Sequence, residues 1–297
     1  MSQPAKVLII DDSAVARQTL KNILSEDPEL EVVGTAPDAL IALKKISELN
    51  PDVLTLDVQM PKMDGLTFLE RLMKSRPMPV VMVSSYTQEG SETAMRSLEL
   101  GAVDIIEKPK FEVREGLNEI AILITDKVKA AAQAKMKTAR QIFMQTSPKQ
   151  STEVVLPKTT GKRKTTDQEP LIAIGASTGG TEVLREILSS LPPTLPGIVI
   201  VQHMPKAFTG SFANSLDRVS ELEIKEAEDG DMVESGKALL APGDAHMILK
   251  NNGSSYQAKL DTGELVNRHR PAVDVLFRSV ASIAGSAAVG VILTGMG

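Results

Sequence analysis

The chain has 297 residues, 42% of them hydrophobic and 24% charged, enough for two domains that each bury a core. It contains no cysteine, which excludes disulfides, thiolate zinc sites and a cysteine nucleophile. The formal net charge of −5 is unevenly spread: residues 127–168 carry ten Lys/Arg against two Asp/Glu, about +8, which leaves roughly −13 elsewhere and argues against a folded nucleic-acid-binding face.

The start, Met1-Ser2-Gln3-Pro4-Ala5, runs straight into a strand pattern and lacks the basic segment and apolar stretch of a signal peptide. No apolar run approaches the ~18 residues of a membrane span. A cytoplasmic protein with no membrane insertion is expected. Up to about residue 125, strands are predicted at Lys6–Asp12, Glu31–Ala36, Asp52–Asp57, Pro79–Ser84 and Val103–Glu107, with amphipathic stretches between them. Five repeats of strand then helix predict a parallel sheet with helices on both faces. The last helix, from about Glu112, runs into Lys127-Val128-Lys129-Ala130-Ala131-Ala132.

From there to about Glu169 the chain is rich in Lys, Thr, Gln and Ser, with Pro148, Pro157 and the run Gly161-Lys162-Arg163-Lys164. Such a stretch buries too little apolar surface to offset its ordering entropy and reads as a flexible, charged tether. A second alternation starts at Leu171-Ile172-Ala173-Ile174-Gly175, continues through Gly197–Gln202 and reaches Ala288–Leu293. Between the last two, Pro242-Gly243-Asp244 and Asn251-Asn252-Gly253 predict hairpin pieces added to the parallel core. The expected division is a first domain over 1–125, a linker over 126–169 and a second domain over 170–297. The chain stops at Thr294-Gly295-Met296-Gly297, directly after a strand that a helix should follow, so the second domain is expected to be incomplete.

In an open parallel sheet, ligands gather beyond the carboxyl ends of the strands. Asp11, Asp12, Asp57, Ser84 and Lys108 all fall at such ends and are expected to converge on one crevice. Clustered carboxylates suit a hard divalent cation, Mg²⁺, and one of them can attack a phosphoryl group to give an acyl phosphate. Lys108 would pair with the transferred group and the Ser84 hydroxyl would hydrogen-bond it. Carboxylates that merely cap the following helices are the simpler alternative, but five such residues at four strand ends, with the turn Met60-Pro61-Lys62-Met63-Asp64-Gly65 after Asp57, favour the site.

In the second half, Gly175-Ala176-Ser177-Thr178-Gly179-Gly180 places Ser177 between a buried-strand pattern and a helix pattern, where free backbone amides hold an anion or oxyanion. A plain N-cap serine is one alternative. A nucleotide-binding loop is another, but it calls for an acid at the end of the next strand, where Gln202-His203 stands. His203 instead lies within expected reach of Ser177 and would take and return its proton. His246 and His269, in turn-rich segments, read as structural or substrate-contacting.

The first 120 residues or so resemble the receiver domain of two-component response regulators, on Asp11, Asp12, Asp57, Ser84 and Lys108. Residues 171–297 resemble the catalytic domain of the chemotaxis protein-glutamate methylesterases, the CheB family. The matching segments there are Gly175–Gly180, Val201-Gln202-His203-Met204-Pro205, Ala241-Pro242-Gly243-Asp244, Asn267-Arg268-His269-Arg270-Pro271 and Thr294-Gly295-Met296-Gly297.

The resemblance implies two doubly wound parallel α/β domains, a flavodoxin-like receiver and a Rossmann-like esterase domain. It implies phosphorylation of Asp57 by a histidine kinase, with Asp11, Asp12 and the Gln59 carbonyl at Mg²⁺, and Ser84 and Lys108 relaying the signal. Ile105 stands where relatives often carry an aromatic residue, against an aromatic rotamer switch. Ser177 would be the nucleophile, His203 the general base, and Met296 and Thr178 would line the oxyanion and substrate site. The ester chemistry itself would need no cofactor. The substrates would be γ-glutamyl methyl esters, and glutamine amides, on the cytoplasmic helices of chemoreceptors.

The family's catalytic aspartate falls beyond Gly297; Asp229, Asp244 and Asp274 read as turn or cap residues, so the chain as given is expected to be weak or inactive. A receiver fused to a non-catalytic scaffold is the alternative. Unphosphorylated, the receiver is expected to cover the Ser177 crevice.

Overall fold

The computed structural model describes residues 3–84, 88–108, 117–134, 169–253 and 255–294. In the first half, β1 (Ala5–Ile10), β2 (Leu30–Ala36), β3 (Val53–Asp57), β4 (Val80–Ser84) and β5 (Asp104–Glu107) form a parallel sheet in the order β2-β1-β3-β4-β5. That order reverses between β1 and β3, the switch point at which doubly wound sheets open a ligand crevice. The predicted strands agree to within two residues, with β1 ending at Ile10, so that Asp11 and Asp12 lie just beyond it.

Five helices cover the two faces: α1 (Ala14–Ser25), α2 (Ala39–Leu49), α3 (Gly65–Ser75), α4 (Gln88–Glu99) and α5 (Leu117–Gln133). The first three are capped by Ser13, Asp38 and Asp64, whose side chains accept from Ala16, Ile41 and Thr67 N–H. Asp11, Asp12 and Asp57 are therefore not the capping residues. β3 and β4 are buried along their whole length, as strands covered on both faces must be.

In the second half, β6 (Leu171–Ala176), β7 (Gly197–Gln202), β8 (Glu223–Glu226), β10 (Lys237–Leu240) and β13 (Ala288–Ile292) form a second parallel sheet, ordered β13-β6-β7-β10-β8. β8 and β10 are four residues each, too short to stand out as apolar runs, and so complete the sheet beyond what the sequence suggested. The predicted hairpin is β11 (His246–Asn252) with β12 (Ser255–Asp261), antiparallel about Asn252–Ser255, with β9 (Met232–Val233) on its outer edge. Helices α6 (Gly180–Leu188), α7 (Lys206–Asp217) and α8 (Val273–Ile283) complete this half.

The two halves pack against each other. α4 runs along α6 and α7, and Arg185 meets Glu99 across the seam at 2.7 Å. Lys127 and Lys129, counted in the sequence with the basic connector, lie on α5, which continues to Gln133, as the helix expected to run through Ala132 implies. Lys127 is 4% exposed and pairs with Asp104 at 2.6 Å, while Lys129 pairs with Asp27 at 2.8 Å. Pro109, the start expected near Glu112 and the tract Gly161–Lys164 lie outside the described residues.

Candidate functional site

Two sites take shape, each at the carboxyl edge of one sheet. At the first, Asp57 ends β3, Ser84 ends β4, and Asp11, Asp12 and Lys108 follow β1 and β5. Oxygen atoms of Asp11, Asp12 and Asp57 lie within 4.8 Å of one another. The Lys108 Nζ bridges Asp11 at 2.9 Å and Asp57 at 3.0 Å. Burial, then the Asp11 charge, pushes the Asp57 carboxyl above its ordinary range, with Lys108 pulling the other way. Burial alone would lower Lys108, but its hydrogen bonds and charge pairing with Asp11 and Asp57 hold it above the usual lysine value.

Three converging carboxylates facing one ammonium leave negative charge that a hard, oxygen-seeking divalent cation fits, so the donor set suits Mg²⁺. Gln59 lines the adjoining cavity with Asp12, and its N–H donates to Asp57. The Ser84 side chain is buried, and its carbonyl accepts from the Lys108 N–H at 2.8 Å.

Gly65 closes the turn after Asp57. A Cβ at Gly65 would fall 2.2 Å from the Asp57 carbonyl oxygen and 3.0 Å from the Val58 Cα, both backbone atoms that cannot step aside. Gly65→Ala is therefore expected to destabilise the first half by about 2–3 kcal/mol, seen as a lower midpoint in denaturant. It should also slow phosphorylation of Asp57, whose backbone must shift to make room.

At the second site, β6 and β7 are adjacent and in register, with Ala176 opposite Gln202, so the residues that follow each strand meet. The His203 Nδ1 lies 3.2 Å from the Ser177 Oγ. His203 N–H donates to the Ala176 carbonyl, Ser177 N–H to Thr294, and the Gln202 amide to the Ser177 carbonyl at 2.9 Å. The loop is thereby held from three sides. Gly180 permits this: a Cβ there would meet the Gln202 Oε1 at 2.4 Å. The α6 N-cap is Gly179, in the left-handed region at φ 75°, with no side-chain cap, so the Ser177 hydroxyl does not serve as the helix cap.

The imidazole of His269 stacks on that of His203, with centroids 3.8 Å apart and planes 11° from parallel. Burial lowers the His203 pKa to about 3, and His269 and Lys127 push the same way. At neutral pH His203 is uncharged, the form a general base needs, but in this buried setting it binds a proton less readily than an ordinary histidine. Its Nε2 has no hydrogen-bond partner among the described residues.

None of the acids weighed from sequence reaches it. Asp229 accepts from Leu260 N–H, Asp244 pairs with Lys206 at 3.0 Å, and Asp274 accepts from Asn267 at 2.9 Å. His246 is buried in a structural role, with one ring nitrogen 2.9 Å from the Glu264 carbonyl and the other accepting from Ala272 N–H. Met296 lies outside the described residues.

A cavity of about 310 Å³ opens in front of the pair, walled on one side by Ser177, Thr178, His203 and Arg268 and on the other by Leu123, Asp126 and Lys127 of α5. Lys127 Nζ also donates to the Ile105 carbonyl at 3.1 Å and, weakly, to the His203 carbonyl at 3.4 Å. Sequence reasoning did not place α5 residues here, because no spacing links positions 76 residues apart.

A depressed histidine fixes the direction of a pH effect. The unfolded chain binds a proton near pH 6.5, whereas folded His203 resists one down to about 3, so stability falls as pH drops through that window. An NMR titration is expected to place His203 well below an ordinary histidine, and Lys127→Ala to move it upward.

Residues 172–297 match the CheB methylesterase family, and residues 7–121 match the response regulator receiver domain family. A protein-glutamate methylesterase/protein-glutamine glutaminase from Thiobacillus denitrificans is 54% identical over 98% of this chain and 80% of its own length. One from Oleidesulfovibrio alaskensis is 50% identical over 100% of this chain and 83% of its own. The CheB methylesterase catalytic domain from Thermotoga maritima, a crystal structure, is 46% identical over 44% of this chain and 69% of that chain, with a TM-score of 0.43.

Proposed function

The chain belongs to the family of receiver-linked CheB methylesterases, protein-glutamate methylesterases/protein-glutamine glutaminases, and from that premise we propose how its two sites work together. It is a hydrolase of γ-glutamyl methyl esters and glutamine amides on proteins; a non-catalytic scaffold is set aside, since its relatives are named as enzymes. The contact between Ser177 Oγ and His203 Nδ1 at 3.2 Å carries the assignment of roles.

Ser177 donates its proton to neutral His203 as its oxygen attacks the ester carbonyl. His203 then returns that proton to the departing methoxide, and methanol leaves an acyl-enzyme. Water, deprotonated by the same imidazole, attacks the acyl carbon and releases glutamate and the serine. With an amide the leaving group is ammonia, and the remaining steps are unchanged. Backbone amides at the start of α6 would stabilise the developing oxyanion, and Thr178 lines the same cavity. His269, stacked on His203, holds the ring in place.

The first site regulates the second. Asp57 attacks the phosphoryl group of a histidine kinase and becomes an acyl phosphate, which Ser84 and Lys108 read. Asp11, Asp12, Asp57 and the Gln59 carbonyl would hold Mg²⁺, which when bound neutralises the incoming phosphoryl charge. With α5 walling the Ser177 cavity, one ester side chain has room but a substrate helix 10–12 Å across does not. Phosphorylation therefore acts by moving α5 away, and the natural substrates are methylated chemoreceptor helices. The cytoplasmic helices of those receptors are the partner surface; among the described residues no helix is long and apolar enough to cross a membrane. The test is methanol release from methylated chemoreceptor fragments, with and without Mg²⁺ and a small acyl phosphate. Release that ignores the phosphodonor would sink the regulatory reading while leaving the esterase intact.

A further inference from the structure

Arg268 is held in a way that stability does not explain. It sits at φ 68° beside Asn267 at φ 49°, two successive non-glycine residues in the left-handed region. The loop is closed by paired backbone hydrogen bonds between Val266 and His269, and its shoulder is fixed by Asn267 on Asp274. Yet the Arg268 side chain is 67% exposed at the mouth of the Ser177 cavity. Among the described residues, the carboxylate within ion-pair reach is Asp126 of α5, with Oδ2 at 3.4 Å, while the other oxygen of Asp126 faces Lys129 at 3.7 Å. A rigid, strained backbone that offers a solvated guanidinium beside a nucleophile is built for recognition of a carboxylate.

We propose that Arg268 selects substrates carrying an acidic side chain close to the glutamyl ester, and that Asp126 of the receiver occupies the same position as an internal stand-in for that acid. This deepens the esterase reading and rests on it. The receiver then does more than block the cavity: it competes for the residue that reads the substrate. Because the Arg268–Asp126 pair is exposed and long, it shifts the closed form by no more than about fivefold. A substrate acid settled in the open crevice, free to approach the fork of Arg268 in two-pronged fashion, gains more, about tenfold.

The experiment uses the full protein with acyl phosphate present and two helical peptides that differ only in Glu or Gln one turn from a glutamyl methyl ester. The expected kcat/KM ratio, Glu over Gln, is about tenfold in wild type, close to one in Arg268→Ala, and intermediate in Arg268→Lys. A ratio near one in wild type, or one unchanged in Arg268→Ala, overturns the proposal. Binding of both peptides to Ser177→Ala protein without phosphodonor gives a second readout. There Asp126→Asn is expected to tighten the Glu peptide two- to fivefold and the Gln peptide less; equal tightening of both overturns the competition. If neither peptide is hydrolysed even by protein that carries the family's catalytic aspartate, the esterase reading fails and binding alone decides: a Glu preference lost in Arg268→Ala upholds Arg268 as the reader, and no preference refutes it.

Discussion

In protein that carries the family's catalytic aspartate, Ser177→Ala is expected to lower methyl-ester hydrolysis by roughly 10⁴–10⁶-fold, and His203→Gln to lower it about as far, with the double variant no worse than either alone. The non-additivity is the informative part. A serine hydroxyl attacks only as its proton leaves, and the acceptor is the His203 Nδ1 at 3.2 Å, so removing either partner disables the same step. Two residues that acted independently would multiply their losses. Methanol release from a methylated receptor fragment measures all three variants. A Ser177→Ala protein that keeps even a hundredth of the wild-type rate would mean that water is activated elsewhere and that Ser177 is a loop residue. Substrate binding should survive in Ser177→Ala, since the hydroxyl contributes little contact area.

The second large effect is on regulation. Asp57→Asn is expected to abolish the response to phosphodonor entirely while leaving the unstimulated rate in place. Asparagine is nearly isosteric but lacks the anionic oxygen needed for attack on phosphorus. Lys108 keeps a partner in Asp11, at 2.9 Å, so the strand ends should hold their arrangement. If the closed form outweighs the open one by about a hundredfold, the lost stimulation is on the order of 10². Chelation of divalent cations should reproduce that loss in the wild type without lowering the unstimulated rate, because the proposed Ser177–His203 steps use only side-chain proton transfer. Stimulation of Asp57→Asn by acyl phosphate would move the phosphoacceptor to another residue.

What could be read from the sequence follows from where the information lies. Asp57 and Ser84 end strands that are mostly apolar and buried along their whole length, and the residues after such strands meet at one edge by topology alone. Ser177 and His203 are legible for the same reason: β6 and β7 are consecutive and parallel, so their ends converge. The short strands Glu223–Glu226 and Lys237–Leu240 were not, because four residues, mostly charged in one and Lys-Ala-Leu-Leu in the other, are too few to show a period.

The stack of His269 on His203 brings together elements 66 residues apart, and no local pattern specifies that approach. The sequence did single out Asn267-Arg268-His269-Arg270-Pro271, but as a turn whose side chains had no assigned neighbours. Lys127 shows the opposite error. In a basic stretch a lysine reads as solvated, and only packing shows it at 4% exposure with a carboxylate waiting on the neighbouring strand.

That lysine also bears on how readily the two halves come apart. Both members of the Lys127–Asp104 pair belong to the receiver, and among the described residues Lys127 reaches across the seam with one long hydrogen bond, 3.4 Å to the His203 carbonyl. When the receiver withdraws, the ammonium takes its counter-ion with it, and neither surface is left with an uncompensated charge of the kind that makes buried ion pairs hard to break. The pairs that do cross, Arg185 with Glu99 and Arg268 with Asp126, are partly solvated already and rehydrate at little cost. Among the described residues, the ion pair that is deeply buried at the seam thus lies wholly on one side of it. The seam resembles a docking surface between separate proteins more than the inside of one, and a brief chemical signal can open and reset it many times without unfolding either partner.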